Sequence, residues 1–135
     1  MINSMNPEFI NYRINQAFET LSAAKVLIAN KYWNSSVNRL YYACFYAINA
    51  LLLKHGITAK THTAIKSQFS LQYIKTGILD KKFGTLYSDL FDWRQKGDYS
   101  DFFNLSEDAV LSMIKPVEEL LENIKMLLKK EESQS

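Results

Sequence analysis

Three short groups of residues in this sequence have side chains that could bind an anion or move a proton. They are Arg39-Leu40-Tyr41-Tyr42-Ala43, Lys60-Thr61-His62 and Arg94-Gln95-Lys96-Gly97-Asp98-Tyr99. An arginine guanidinium can make two parallel hydrogen bonds to a phosphate, and a histidine exchanges its proton near neutral pH. We therefore take Arg39, His62, Arg94, Asp98 and Tyr99 as the candidate binding residues, and Arg94, Tyr99 and His62 as the catalytic candidates.

Other common catalytic signatures are missing from the sequence. It contains no Gly-x-Ser-x-Gly elbow, no glycine-rich phosphate loop and no Cys-x-x-Cys pair. Helical bundles that hold a di-metal centre use Glu-x-x-His pairs, but neither His55 nor His62 has a glutamate three positions earlier. The sequence therefore predicts neither a metal site nor a cofactor.

Composition limits the class of protein further. The 135 residues are enough for one domain, which we expect to span residues 1–135, and the net charge of +2 is too small for tight generic binding to nucleic acid. The most apolar stretch, residues 40–53, is shorter than the roughly 18 to 20 residues that cross a bilayer. With a single cysteine and no secretory leader, the sequence favours a cytoplasmic location away from the membrane.

The fold class follows from turn residues and apolar spacing. Four glycines and two prolines are too few for a sheet of many short strands, and apolar residues recur at helical steps of three and four. The sequence predicts an all-α protein, an up-and-down bundle of four to five helices, with the second helix at its centre because that helix is apolar on nearly every face. The expected helices run from Asn6 to near Asn30, from Asn34 or Ser35 to His55, from Thr61 to before Gly77, from Asp80 to Gly97, and from Ser106 onward, with residues 129–135 as a frayed tail.

The three groups also resemble a known family. Arg-x-Tyr-Tyr-Ala at the start of the second helix, Lys-Thr-His after its terminal glycine, and Arg-x-x-x-Asp-Tyr at the end of the fourth helix are similar, in that order, to the HEPN domains of the small prokaryotic branch. The resemblance covers residues 17–121. It implies a helical bundle that pairs into a homodimer and is often encoded beside a minimal nucleotidyltransferase.

Many proteins that this chain resembles are toxins that act as metal-independent ribonucleases. Their motif is an arginine followed, after four to six residues, by a histidine in the dimer cleft. Counting from Arg94, those positions hold Tyr99, Ser100 and Asp101, so the histidine has no counterpart here. In related toxins a tyrosine two residues beyond the histidine accepts nucleotides; that position is Asp101 here, which makes Tyr99 a shifted substitute at best.

Each candidate residue also has a purely structural interpretation. Arg94 could form an internal ion pair with Asp98, Tyr99 could pack under its loop instead of stacking on a base, His62 could cap the third helix, and Arg39 could pair with a neighbouring helix end. A phenol with a pKa near 10 is a poor general base at neutral pH, which weakens the case for Tyr99 as a replacement for the missing imidazole.

Two functional hypotheses of different class follow. The first is a homodimeric HEPN interaction module that contacts nucleotide or RNA phosphates weakly through Arg94 and works with a separate nucleotidyltransferase in a toxin–antitoxin or defence system. The second is a ribonuclease toxin with a degenerate motif, in which Tyr99 or His62 replaces the missing histidine.

Overall fold

The described part of the chain folds into a bundle of five α-helices. The computed structural model describes residues 7–99 and 105–134, with side chains for residues 7–96 and 105–130. The helices are α1 Pro7–Ala29, α2 Trp33–Lys54, α3 His62–Phe69, α4 Lys81–Tyr99 and α5 Glu107–Gln134. The prediction of an all-α fold is confirmed. In the part of the chain that is described, no helix combines the length and the apolar character that a membrane span requires.

Helix α2 lies at the centre of the bundle, as its apolar faces predicted. It contacts α1, α3, α4 and α5, and α1 and α2 pack against each other most extensively. Tyr41, Cys44, Ile48 and Leu51 on α2 are all fully buried. Removing so much apolar surface from water is the main stabilising contribution to such a fold. Because the interior is closely packed, the side chains of α2 are held in fixed positions.

At two of the predicted helix starts, Thr61 and Ser106, the side chain caps the helix. Thr61 caps α3, because its hydroxyl accepts a hydrogen bond from the Ala64 amide at 3.0 Å. Ser106 caps α5 in the same way, accepting from the Ala109 amide at 3.2 Å. Helix α5 continues to Gln134, and the fraying expected for residues 129–135 stays a prediction.

Two boundaries differ from those expected. Helix α2 begins at Trp33, slightly before the polar residues that were expected to start it, and the Tyr32 side chain makes no capping hydrogen bond. Helix α4 continues through Gly97 to Tyr99. A glycine that ends a helix commonly does so in a left-handed conformation, which Gly56 (φ 67°) and Gly77 (φ 80°) adopt here.

A wider helical turn follows α3 and was not predicted. Residues Ser70–Ile74 form a π-helical turn, closed by a 2.9 Å hydrogen bond from the Lys75 amide to the Ser70 carbonyl. Helix α4 approaches this turn closely at Gly84, where an added Cβ would lie 3.2 Å from Cγ2 of Ile74. The helical segment that starts with α3 therefore continues to Ile74, shortly before Gly77 as expected, but it changes from an α-helix to a π-helix at Ser70.

The short link between α1 and α2 contains a strained residue. Lys31 has a φ of 63°, in the left-handed region that favours glycine, and it is exposed. The Tyr32 amide returns to the Leu27 carbonyl at 3.0 Å and closes the end of α1. This turn lets α2 fold back along α1 as a helical hairpin.

Replacing Lys31 with glycine is expected to stabilise the protein by about 0.5–1 kcal/mol, because glycine adopts positive φ without the steric cost of a Cβ atom. Thermal denaturation should show a melting temperature raised by roughly 2–4 °C. The matched control is Ala23→Gly at an exposed position inside α1, which should lower the melting temperature because that residue is helical. A Lys31→Gly protein no more stable than the wild type would contradict this explanation of the turn.

Candidate functional site

Two adjacent tyrosines on α2 hold two arginines at the surface. The Cζ atom of Arg94, from α4, lies 4.9 Å from the ring centre of Tyr41 and 5.8 Å from that of Tyr42. The Cζ atom of Arg39 lies 5.2 Å from the ring centre of Tyr42. A positive charge over an aromatic face is stabilised by the ring quadrupole. The ring of Tyr42 thus brings the two guanidinium groups to the same part of the surface.

Both arginines line one surface pocket of about 340 Å³. Its remaining lining residues are Leu27, Asn34, Ser35, Val37, Asn38, Trp93 and Leu105. The pocket thus combines two guanidinium groups with amides, a hydroxyl and the indole of Trp93. Guanidinium groups bind planar oxyanions such as phosphate in a two-pronged geometry, and an indole offers a flat apolar surface.

The amino-terminal end of α2 adds to the positive character of this pocket. Asn34 and Ser35, in the first turn of α2, lie in its wall, and that turn contains no acidic residue. The first amides of a helix have no acceptor within the helix, and the helix dipole is positive at this end. The pocket is therefore suited to hold a negatively charged group.

His62 lies against the same tyrosine pair, with its ring centroid 5.8 Å from that of Tyr41 and 5.9 Å from that of Tyr42. It is the first residue of α3; its Nδ1 is hydrogen-bonded to the hydroxyl of Tyr41 at 2.6 Å, and its ring stacks on Phe45 with centroids 4.6 Å apart. Burial lowers the pKa of His62 below its usual value, and the nearby positive charge of Arg94 lowers it further. The imidazole is therefore neutral at pH 7.

The hydroxyl of Tyr41 also connects to the interior. Tyr87, on α4, donates a hydrogen bond to it at 3.3 Å, and the two rings stack with centroids 5.5 Å apart. Burial raises the pKa of Tyr41 and of Tyr87 because a phenolate would lose its hydration there. Both phenols are therefore protonated at any physiological pH.

The structure brings three of the five candidate binding residues together. Arg39, His62 and Arg94 surround the Tyr41–Tyr42 pair, although they come from three different helices. The side chains of Asp98 and Tyr99 lie outside the described residues. The ion pair between Arg94 and Asp98 and the alternatives for Tyr99 therefore stay predictions.

His62 and Arg39 have other partners than their purely structural interpretations predicted. Thr61, rather than His62, provides the cap of α3, and His62 turns to Tyr41 instead. Arg39 donates hydrogen bonds to Oδ1 of its neighbour Asn38 from Nε at 3.3 Å and from Nη2 at 3.0 Å. The expected partner at a neighbouring helix end is thus replaced by a local amide, which orients the guanidinium beside Tyr42.

Sequence reasoning missed two residues of the site. Neither Tyr41 nor Tyr87 is among the candidate residues taken from the sequence, and both are buried. A tyrosine on a buried stripe carries a hydroxyl that needs a partner, and that need was the available signal. Among the described residues, no group of three or more His, Cys, Asp or Glu side chains is arranged to hold a metal ion.

Comparison with known proteins identifies the family. The family model described as the HEPN domain matches residues 10–127, nearly the whole bundle. The chain belongs to the HEPN family. The motif-based resemblance is thereby confirmed.

Several relatives are similar along most of their length to this HEPN chain. A protein of Thermotoga maritima named as a UPF0332 protein is 36% identical over 121 residues, which cover 90% of this chain and 92% of that protein. A protein of Methanocaldococcus jannaschii with the name "putative toxin" is 33% identical over 129 residues, which cover 96% of each chain. A second protein of that organism, with the same description, is 30% identical over 95 residues, covering 70% of this chain and 65% of that protein.

The lowered pKa of His62 makes the stability of this HEPN domain dependent on pH. Below about pH 6.5 the unfolded chain binds a proton at His62 more readily than the folded protein does, so the free energy of unfolding falls as the pH falls. Chemical denaturation at pH values from about 8 to about 5 should show that the free energy of unfolding falls more steeply for the wild type than for His62→Gln.

A second test of the same pH dependence uses the variant Arg94→Met. This substitution removes the positive charge and keeps a long side chain against Tyr41. The pH-dependent loss should become smaller in that variant, since the guanidinium is one of the two causes of the lowered pKa of His62. Identical pH profiles for the wild type and His62→Gln would show that His62 titrates normally in the folded state.

Proposed function

We propose that this HEPN protein is an interaction module that binds the phosphate of a nucleotide or of RNA in the pocket between α2 and α4. The observation that supports the proposal is the presence of Arg39 and Arg94 in one pocket, both oriented by Tyr42. A phosphate there would accept hydrogen bonds from both guanidinium groups at the positive end of α2. With a net charge of +2, we expect the binding to be weak and local rather than generic.

We further propose that the protein works with a separate minimal nucleotidyltransferase in a cytoplasmic toxin–antitoxin or defence system. The toxin-like role in this proposal is supported by two relatives from Methanocaldococcus jannaschii that are named as putative toxins. In this proposal two copies form a homodimer, and the two Arg94 side chains double the positive charge across the cleft. An internal pair between Arg94 and Asp98 is compatible with this role, because it would orient the guanidinium.

The second candidate function is a metal-independent ribonuclease toxin. One observation favours it: His62 and Arg94, far apart in sequence, lie around the same Tyr41 ring, so an imidazole is present near the arginine although the family spacing lacks one. A neutral imidazole beside a phosphate-binding arginine is the usual requirement for proton transfer to and from a ribose hydroxyl.

Phosphate binding can be tested with a fluorescent single-stranded RNA in an anisotropy titration. Replacing Arg94 with alanine should weaken binding roughly tenfold or more, because a charge-assisted hydrogen-bonded contact is lost. The slope of log affinity against log salt should fall by about 0.7, the contribution of one contacted phosphate on a single strand. Arg39→Ala should act in the same direction.

The matched control is Lys129→Ala, which removes an equal charge at the other end of the bundle. Lys129 lies beside Asn15, and Asn15 is about 18 Å along α1 from the pocket residue Leu27. This variant should bind nearly as tightly as the wild type. Equal weakening by Lys129→Ala and Arg94→Ala would refute a specific phosphate site.

The two candidate functions differ in an RNA cleavage assay carried out in the presence of a chelator. The interaction module predicts intact RNA after long incubation with the purified protein. Metal-independent cleavage that disappears in Arg94→Ala, with the helical circular dichroism spectrum unchanged, would replace the module with the ribonuclease.

A further inference from the structure

Three side chains form a hydrogen-bonded row from the interior of the bundle to the candidate site. Tyr87 is bonded to Tyr41 at 3.3 Å, and Tyr41 is bonded to Nδ1 of His62 at 2.6 Å. The two tyrosines are almost completely buried, whereas His62 is half-buried at the start of α3. The row therefore has one end in the core and the other beside the surface that Arg94 occupies.

The direction of this row follows from counting hydrogen atoms. Each tyrosine hydroxyl has one hydrogen to donate, and within the described part of the chain Tyr41 is the only hydrogen-bond partner of the Tyr87 hydroxyl. If His62 donated to Tyr41 and Tyr41 donated to Tyr87, the hydrogen of Tyr87 would be buried without an acceptor. The opposite direction, from Tyr87 through Tyr41 to His62, uses every hydrogen, and buried donors without partners are costly.

We propose that Tyr87 and Tyr41 fix His62 as a neutral imidazole whose Nδ1 accepts from Tyr41 and whose only hydrogen is on Nε2, so that His62 donates a hydrogen bond to the anion attracted by Arg94. The identity of that anion as a phosphate rests on the function proposed above. Tyr41 and Tyr87 are positioning residues in this scheme, since they act through His62. Stacking of His62 on Phe45 holds the plane of the ring, with Nε2 on the edge away from the Tyr41 hydroxyl.

The surrounding charges keep the imidazole neutral, as this arrangement requires. An imidazolium carries a hydrogen on both nitrogens, so its formation would force Tyr41 to accept from His62 and would reverse the row. Partial burial and the positive charge of Arg94 both lower the pKa of His62, and a lower pKa favours the neutral imidazole. The geometry and the electrostatics thus favour the same protonation state.

This tautomer decides what His62 can do chemically. The lone pair with which a neutral imidazole acts as a base is on Nδ1, and Tyr41 already occupies it. The remaining Nε2–H donates a hydrogen bond but takes up no proton. His62 is therefore a binding group, which favours the interaction module over the ribonuclease.

The tautomer can be read directly by nitrogen NMR on protein labelled with ¹⁵N-histidine, at about pH 8 and without RNA. The two histidines are assigned by the loss of one signal set in His62→Gln. We expect Nδ1 of His62 to be unprotonated and Nε2 to carry the hydrogen. A hydrogen on Nδ1, or a mixture of both tautomers, overturns the proposal, and this measurement needs no variant that might fail to fold.

The role of the tyrosines is tested by Tyr87→Phe, which removes the hydroxyl at the buried end and keeps the ring. The His62 spectrum should change to a mixture of tautomers, because the direction of the row is no longer fixed. The matched control is Tyr73→Phe, since Nδ1 of His55 lies 2.6 Å from the hydroxyl of Tyr73; it should change the signals of His55 and leave those of His62. An unchanged His62 tautomer in Tyr87→Phe overturns the role of Tyr87.

The donor role is tested by adding the single-stranded RNA used for anisotropy. The Nε2 signal of His62 should shift on saturation, and His62→Ala should weaken binding roughly 2- to 10-fold, the usual effect of one hydrogen bond. His62→Gln should restore most of the affinity, because its amide places a donor where Nε2 stood. An unshifted Nε2 signal at saturation overturns the donor role. Absence of any RNA binding refutes the proposed function instead, and leaves the tautomer measured without RNA intact.

Discussion

The contact between the guanidinium of Arg94 and the ring of Tyr41 connects a surface charge to the best-packed part of the protein. Tyr41 is fully buried, yet it also receives a hydrogen bond from Tyr87 and is bonded to His62. An aromatic ring with a hydroxyl is the side chain that can do both, since its faces attract a cation and its hydroxyl joins a hydrogen-bonded row. The geometry of the site is therefore only as precise as the packing of α2 around Tyr41.

Much of the fold could be predicted from the sequence because helices are specified locally. Apolar spacing and capping residues such as Thr61 and Ser106 depend only on neighbours within a few positions, and both caps are present. The π-helical turn at Ser70–Ile74 has no such local signature. It accompanies the tight packing of Ile74 against Gly84 on α4, a contact between segments that a local pattern does not reveal.

The site could be predicted in its components but not in its assembly. Arginines and a histidine near tyrosines indicated anion chemistry, and Arg39, His62 and Arg94 do come together. The partners of His62 were not predicted, because a pattern of single positions contains no information on which hydroxyl faces which nitrogen across three helices. For the same reason Tyr41 was not among the candidate residues, although its hydroxyl links the interior to the surface.

The single cysteine of the chain has an experimental use that follows from its place on α2. Cys44 is fully buried, and burial raises the pKa of its thiol, so the folded protein presents neither access nor thiolate to an alkylating reagent. Reaction at this position requires the helices around α2 to separate. The rate at which the protein is alkylated would therefore report how often the bundle opens, without any engineered probe.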